Sequence, residues 1–196
     1  SNACIACRGP VMSVKLLSRV PLQRIKSLAL DEGSRTSVAL VRILLNKQFG
    51  LSPRCCPLPI GVPIEDVAAD AILLIGDRAI GPPGRGLVES WDLGEQWCSW
   101  SKLPFVFAAW IARPQVPLSG VATALEAARD AGLANLRQIA EREASVVGLD
   151  IDECHAYLRD NLHFTLGPDE QRGVDLFFQL AGELGFASNQ CALSHR

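Results

Sequence analysis

The stretch LALDEGSRTSVALVRILLNKQFG, residues 28–50, indicates the class of fold because it joins a short apolar segment to an amphipathic one. Residues 28–30 are apolar, residues 31–33 are Asp-Glu-Gly, and apolar residues then recur at helical spacing over 38–45. This order predicts a short strand, a turn and a helix that begins near Ser34 and ends at Gly50. A strand followed by a helix in this way is typical of an α/β sheet.

The start of the predicted helix carries more polar groups than a cap requires. Ser34, Arg35, Thr36 and Ser37 follow one another, whereas one hydroxyl is enough to cap a helix. Free N–H groups and the helix dipole attract anions to a helix N-terminus, and an arginine can bind a carboxylate or phosphate through two hydrogen bonds. The segment lacks the GxxxxGK[ST] pattern of a phosphate-binding loop. Two interpretations therefore stay open, an anion site and a capped helix with solvated side chains.

The rest of the chain divides into two parts. Strands are predicted over 11–18, 71–75, 89–93 and 105–112, with a short helix over 94–102. After residue 118 only helices are predicted, over 119–146 with a break near residue 132 or 133, over 150–161 and over 168–184. We expect an α/β lobe over 4–113 and a helical segment over 114–196. Residues 1–3, Ser-Asn-Ala, resemble the remnant of an expression tag and are left out of the prediction.

Composition and charge narrow the possible partners. The chain has 196 residues, of which 48% are hydrophobic and 20% charged, as in ordinary globular proteins. Residues 1–118 carry 13 Lys/Arg against 9 Asp/Glu, and residues 119–196 carry 6 against 12. This dilute basic excess argues against nucleic acid and suits a small anionic ligand. There is no apolar run of about 18 residues and no visible secretory signal, so we expect a cytoplasmic protein without membrane contact, whose seven cysteines are reduced.

Single residues offer a few further candidates for chemistry. Ser13 could face a cleft or a neighbouring strand, and Asp77, after the apolar run 71–75, could orient a ligand or cap a helix. The CxxC at 4–7 has neither the context of a thioredoxin motif nor a second ligand pair for zinc, and no metal or cofactor is expected. Acidic pairs such as that at 31–32 are interpreted as solvated. No Ser/His/Asp arrangement stands out, because all three histidines follow residue 154.

Five segments taken together resemble the chorismate dehydratases of menaquinone biosynthesis by the futalosine pathway. The segments occur in order: GPVMS at 9–13, SRTSV at 34–38, AILLIGD at 71–77, WDLGEQW at 91–97 and LPFVFAAW at 103–110. The resemblance covers residues 7–113 well and is mainly helical beyond them. It implies a fold like that of type II periplasmic binding proteins, with two α/β lobes and a hinge of two strands near 11–18 and 105–112.

The resemblance also implies an activity, a carbon–oxygen lyase that removes water from chorismate to give 3-[(1-carboxyvinyl)oxy]benzoate. By the same resemblance Ser13 belongs to the active site, while Ser34, Thr36 and Ser37, with Arg35 beside them, and Asp77 bind the substrate. A carboxylate-binding module without turnover and a later enzyme of the pathway are the alternatives. Family members carry an N-terminal segment before the first motif. We therefore expect one complete lobe, C-terminal helices of an incomplete second lobe, uncertain activity of this chain, and self-association over the exposed face.

Overall fold

The strands form two separate sheets. The computed structural model describes residues 1–81, 84, 86–113 and 117–186. The strands in chain order are β1 Ala3–Cys7, β2 Val14–Ser18, β3 Ser27–Asp31, β4 Arg54–Leu58, β5 Ala71–Ile75, β6 Glu89–Asp92, β7 Phe105–Ala109 and β8 His163–Thr165. Among these residues, one sheet has the order β4-β3-β5-β2-β6 and the other the order β7-β1-β8.

Helices cover both sheets and make up most of the second half of the chain. The helices are α1 Arg35–Phe49, α2 Asp77–Ile80, α3 Leu93–Ser101, α4 Val121–Ala134, α5 Leu136–Val147, α6 Ile151–Ala156 and α7 Pro168–Glu183. A π-helical segment, Tyr157–Asn161, continues α6. None of the described helices is long and apolar enough to cross a membrane.

The five-stranded sheet is mixed. β3 runs parallel to β4 and β5, whereas β2 runs antiparallel to β5 and β6. The apolar run of β5 is buried from Ala71 to Leu74 because layers of side chains cover both faces of the sheet. The predicted α/β class, a mixed sheet flanked by helices, is confirmed.

One core joins the two sheets. Leu16 and Leu73 of the larger sheet lie in the same buried cluster as Trp97 of α3 and Phe105 of β7. The ring centroids of Trp97 and Phe105 are 5.2 Å apart, and Phe177 of α7 packs on Phe105 at 5.3 Å. The Trp97 indole nitrogen also donates to the Pro104 carbonyl oxygen at 3.1 Å, so its only polar atom is paired.

Two predicted strands are shorter than expected. The segment 11–18 becomes extended only at Val14, because Met12 has a positive φ of 61° and cannot continue a strand. The segment 105–112 ends at Ala109, whose partner Cys4 lies near the start of β1. The strand that pairs with β7 is therefore β1, and residues 14–18 belong to the larger sheet.

Three short strands were not among those predicted. β1 contains the CxxC segment, β4 lies in a proline-containing segment, and β8 lies in the part predicted to be helical. The C-terminal part of the chain therefore contains a strand besides its helices. This strand, β8, belongs to a three-stranded sheet whose central strand is β1. Residues 114–116 and 187–196 of the predicted helical segment lie outside the described residues. The predicted bounds of the two parts, 4–113 and 114–196, stay a prediction.

A buried ion pair fixes the start of α7. The Glu170 carboxylate is fully buried and accepts from Arg8 Nε at 2.8 Å and from the Gly167 N–H at 3.1 Å. Burial raises the pKa of Glu170, but these donors outweigh it, and the net pKa lies below the ordinary value. Gly173 then lets α7 approach the Pro104 carbonyl so closely that a Cβ would overlap the oxygen.

Candidate functional site

Four strands of the larger sheet bring polar residues to one edge. β3, β5 and β6 run in one direction, so that their carboxyl ends lie together, and the antiparallel β2 begins at the same edge. Val14 pairs with Ile75, and Lys15 pairs with Asp92. In open α/β sheets, ligands bind outside the carboxyl ends of the strands. This edge is the candidate site.

The start of α1 lies at this edge because Gly33 packs against the end of β5. A Cβ at Gly33 would stand 2.9 Å from Ile75 Cδ1, so a larger residue would push the turn away. Ser34 caps the helix, as predicted, and its Oγ accepts the Ser37 N–H at 3.1 Å. Gly50 ends the helix with a left-handed φ of 68°, also as predicted.

The four side chains of the SRTS cluster differ in how they are used. Ser34 Oγ donates to Ser37 Oγ at 3.0 Å, and Ser37 is buried. Arg35 is exposed and Thr36 half-buried in the first turn of the helix. The cap thus uses the side chain of Ser34 and the backbone N–H of Ser37. Arg35 and Thr36 play no part in that cap, so the first turn offers more polar groups than the cap uses.

Asp31, interpreted from the sequence as solvated, is buried at the end of β3. It is 1% exposed, and its carboxylate accepts the Gly33 N–H at 2.9 Å and the Ile75 N–H at 3.4 Å. Arg78 of α2 forms an ion pair with the same carboxylate. The sequence prediction was wrong because a solvated turn was expected where β3 still pairs with β4. Asp31 therefore ties the turn before α1 to β5 and α2.

Asp77 begins α2 and does not cap it. The capping position belongs to Gly76, whose φ is 61° and which has no side chain to accept a hydrogen bond. The Asp77 carboxylate is exposed at the edge. Its charge contributes to raising the pKa of the Tyr157 phenol. The alternative of a simple cap is thus excluded by the geometry of α2.

Ser13 lies in the turn that enters β2. Its N–H donates to the Val11 carbonyl at 2.7 Å, and its carbonyl accepts the Gly76 N–H at 2.8 Å. Its side-chain oxygen accepts a hydrogen bond from the Tyr157 hydroxyl at 2.9 Å. Ser13 and Gly76 are thus held together at the edge, and a residue 144 positions away in the chain contacts the serine.

An aspartate that the sequence analysis did not single out holds the same turn. Asp92, the last residue of β6, accepts the N–H groups of Val11 at 3.0 Å and of Met12 at 2.7 Å. It also caps α3 by accepting the Glu95 N–H at 3.0 Å. Met12 keeps its positive φ in this turn, a conformation that is unfavourable for a residue with a side chain. The carboxylate therefore stabilises a strained backbone next to Ser13.

The π-helical segment after α6 reaches the turn from the helical part of the chain. Besides Tyr157, Asn161 contacts it, donating from Nδ2 to the Pro10 carbonyl at 3.0 Å. Burial raises the pKa of Tyr157, and the charges of Asp77 and Asp92 add to this, while the hydrogen bond with Ser13 lowers it. A tyrosine that stays protonated at neutral pH is a hydrogen-bond donor in the site.

The structure thus places every predicted site residue at one edge, and adds others. Ser13 precedes β2 and Asp77 follows β5 at the same end of this strand pair, and the SRTS cluster lies at the adjacent end of β3. Asp92 was detectable in principle, since Asp-Leu-Gly-Glu at 92–95 is a helix-start pattern. No local signal identifies Tyr157 or Asn161, because their role depends on a contact across the chain.

The described residues show no group suited to holding a metal ion. No cluster of three or more His, Cys, Asp or Glu side chains is found among them. Cys4 and Cys7 of the CxxC segment are buried in β1. Burial raises the pKa of the Cys4 thiol to about 11, which keeps it protonated at neutral pH.

The chain is an α/β protein whose mixed sheet gathers hydroxyls, a helix N-terminus and carboxylates at the ends of its strands. Protein AF1704 from Archaeoglobus fulgidus has a similar fold, with a TM-score of 0.63 and 15% identity over 95% of this chain and 72% of that one. A family described as menaquinone biosynthesis matches residues 1–183, and the chain belongs to this family. The chorismate dehydratase of Thermus thermophilus is 35% identical over 91% of the chain and 71% of its own length.

Proposed function

We propose that the protein is a chorismate dehydratase, a carbon–oxygen lyase of menaquinone biosynthesis. The membership of the family and the similarity to the Thermus thermophilus enzyme support this activity. The observation in the structure that carries it is the common edge on which Ser13 and the hydroxyl-rich start of α1 lie. Chorismate has two carboxylates, and this edge combines hydroxyl donors with a helix N-terminus, both of which favour anions.

The residues of the edge have separate roles in this proposal. The first turn of α1, with Arg35 and the hydroxyls of Ser34, Thr36 and Ser37, binds a substrate carboxylate. Ser13 is the catalytic residue and contacts the reacting part of the substrate. Asp77, exposed at the adjacent strand end, accepts a hydrogen bond from a substrate hydroxyl. One carboxylate of the substrate is thereby paired with donors, and the substrate hydroxyl with an acceptor.

The reaction needs orientation more than covalent chemistry. Chorismate loses the ring hydroxyl and the ring hydrogen on the adjacent carbon, which leave together as water, and the ring becomes aromatic. Holding the substrate in a reactive geometry supplies a large part of such a barrier. A hydroxyl donor beside the departing hydroxyl stabilises the charge that develops on it. A site built of oriented hydroxyls fits this elimination.

Product analysis tests the proposal directly. The protein is incubated with chorismate, and the expected result is 3-[(1-carboxyvinyl)oxy]benzoate, identified by chromatography and mass spectrometry. Ser13→Ala is expected to lower kcat/KM by about 10²-fold, the size typical of losing one hydrogen-bond donor that acts in the transition state. Ser145→Ala, an exposed serine on α5, is the matched control and keeps full activity.

The alternatives give different results in the same experiment. A binding module saturates with chorismate in calorimetry and releases no product. An enzyme of a later step neither binds nor converts chorismate but acts on a product of the pathway. Formation of the enolpyruvyl benzoate by the wild-type chain, lost in Ser13→Ala, supports the dehydratase.

Three finer expectations accompany this function. We propose that the menaquinone is made by the futalosine pathway, that the protein acts in the cytoplasm, and that its fold is of the periplasmic-binding-protein type. The two-sheet architecture with polar groups at the strand ends supports the last of these. Fractionation of the source cells and assay of the cytoplasm for the activity test the location.

Self-association stays a prediction from the sequence. The physical reason for it is apolar surface that a second copy could cover. β1, β7, α4 and α5 line an apolar cavity of about 610 Å³, and Trp110 beside it is 65% exposed. The expected result in multi-angle light scattering is a dimer or larger species. A compact monomer at all concentrations contradicts it.

A further inference from the structure

The hydrogen bond between Tyr157 and Ser13 joins the helical part of the chain to the candidate site. We propose that Tyr157 is a positioning residue, which holds the Ser13 oxygen so that the Ser13 hydrogen is directed to the substrate. The inference rests on the proposed function, because it assigns Ser13 a donor role in that reaction. It adds a residue to which neither the sequence motifs nor the similarity to relatives assigns a role.

The surroundings of Ser13 leave one polar hydrogen for a ligand. A serine hydroxyl has one hydrogen and two lone pairs. The Ser13 N–H is used by the Val11 carbonyl, and the Ser13 carbonyl is used by the Gly76 N–H. Tyr157 donates to one lone pair of the side-chain oxygen at 2.9 Å. The Ser13 hydrogen is the remaining donor, and it points away from Tyr157 because that position is occupied by the tyrosine hydrogen.

The backbone and the side chain of Ser13 are held by different groups. Asp92 fixes the backbone by accepting two N–H groups of the turn, in spite of the positive φ of Met12. Tyr157 fixes the side chain, because its hydrogen bond selects one rotamer of the serine. Asn161, one turn further along the same segment, binds the Pro10 carbonyl and holds the segment against the turn. Two contacts from one π-helical segment thus set the position of a single hydroxyl.

A double-mutant cycle tests whether Tyr157 acts through Ser13. The proteins compared are wild type, Tyr157→Phe, Ser13→Ala and the double variant, each assayed with chorismate. Tyr157→Phe removes only the hydroxyl, and we expect kcat/KM to fall about fivefold to tenfold, as for the loss of one neutral hydrogen bond. In the Ser13→Ala background the same change is expected to have no further effect. Arg159→Gln, exposed on the same segment, is the control and leaves kcat/KM unchanged.

A second measurement is independent of activity. Tyr157 is the only tyrosine in the chain, so the absorbance of phenolate reports on this residue alone. Once Tyr157 has lost its proton, the Ser13 hydroxyl can turn to donate to the phenolate, so that the hydrogen bond with Ser13 lowers the pKa of Tyr157 against the raising effects of burial and of Asp77, Asp92 and Cys154. Ser13→Ala is therefore expected to move the phenol titration to higher pH, and Arg159→Gln to leave it where it is.

The two measurements separate this inference from the proposed function. A wild-type chain that makes no product, but whose phenol titration shifts in Ser13→Ala, contradicts the dehydratase and supports the bond between the two hydroxyls. An active chain with an unshifted titration overturns the inference and leaves the function intact. Additive effects of the two substitutions on kcat/KM also overturn it, because Tyr157 would then act independently of Ser13.

Discussion

Replacing Asp92 by alanine tests how the turn that carries Ser13 is held. The carboxylate of Asp92 accepts three backbone N–H groups, from Val11, Met12 and Glu95, at 2.7–3.0 Å. One of the three is the cap of α3, and loss of such a cap costs about 1 kcal/mol. The other two are bonds to a charged acceptor, which contribute about 1.5–3 kcal/mol each when buried and less here, where water reaches the partly exposed carboxylate.

The expected total is about 3 kcal/mol, measured as the free energy of unfolding in urea. In a chain of this size such a loss lowers Tm by about 6–12 °C. Asp92→Asn keeps one acceptor oxygen. At the position of the other oxygen it places an NH₂ group, which cannot accept a hydrogen bond from a backbone N–H. We therefore expect it to lose about half as much as Asp92→Ala.

Asp150→Ala is the matched control. Asp150 caps α6, and among the described residues its side chain accepts one N–H, that of Glu153 at 2.8 Å, so it caps a helix without holding a second segment of backbone. Its expected cost is about 1 kcal/mol. The reasoning is refuted if Asp92→Ala is no more destabilising than Asp150→Ala, or if Asp92→Asn unfolds like the wild type. Chorismate binding gives a second readout and is expected to weaken in Asp92→Ala but not in Asp150→Ala.

Further substitutions test packing, charge and the helix start. Gly173→Ala should lower the unfolding free energy by about 1–3 kcal/mol, because its Cβ would overlap a backbone oxygen. Gly132→Ala in α4, with open space around it, should raise the unfolding free energy by about 0.5–1 kcal/mol. Thermal unfolding of the two variants measures both changes. Burial raises the pKa of Glu170, but Arg8 and backbone donors bring the net value below the ordinary 4.5, so its stabilisation is present above pH 4.5 and is lost as the pH falls further. Unfolding free energies measured against pH should therefore fall less steeply with acid in Glu170→Gln, and an unchanged slope argues against the ion pair. Ser34→Ala should cost about 1 kcal/mol as a lost cap and also weaken chorismate binding; a loss of stability with unchanged binding contradicts the anion site.

Much of the larger sheet follows from local pattern. The SRTS segment and Gly50 identify the ends of α1, and the apolar run 71–75 identifies a strand that has side chains on both of its faces. Segments that are short, or that depend on a partner, were missed or misplaced. β8 has three residues and is formed by pairing with β1, so no periodicity could reveal it. The late start of β2 depends on Asp92, 81 positions from Val11, and not on the residues of the strand itself.

Local sequence patterns were enough to predict the class of fold and the ends of α1 and α3–α7 to within a few residues, because capping, helical spacing and apolar runs act over a few positions. The resemblance to the family implied the site positions Ser13, Ser34–Ser37 and Asp77. The three-dimensional structure was needed to show which strands pair, that Asp31 is buried, and that Asp92, Tyr157 and Asn161 surround the turn before β2. Contacts between residues far apart in the chain depend on how the whole sheet and its helices pack, and a local pattern carries no information about that packing.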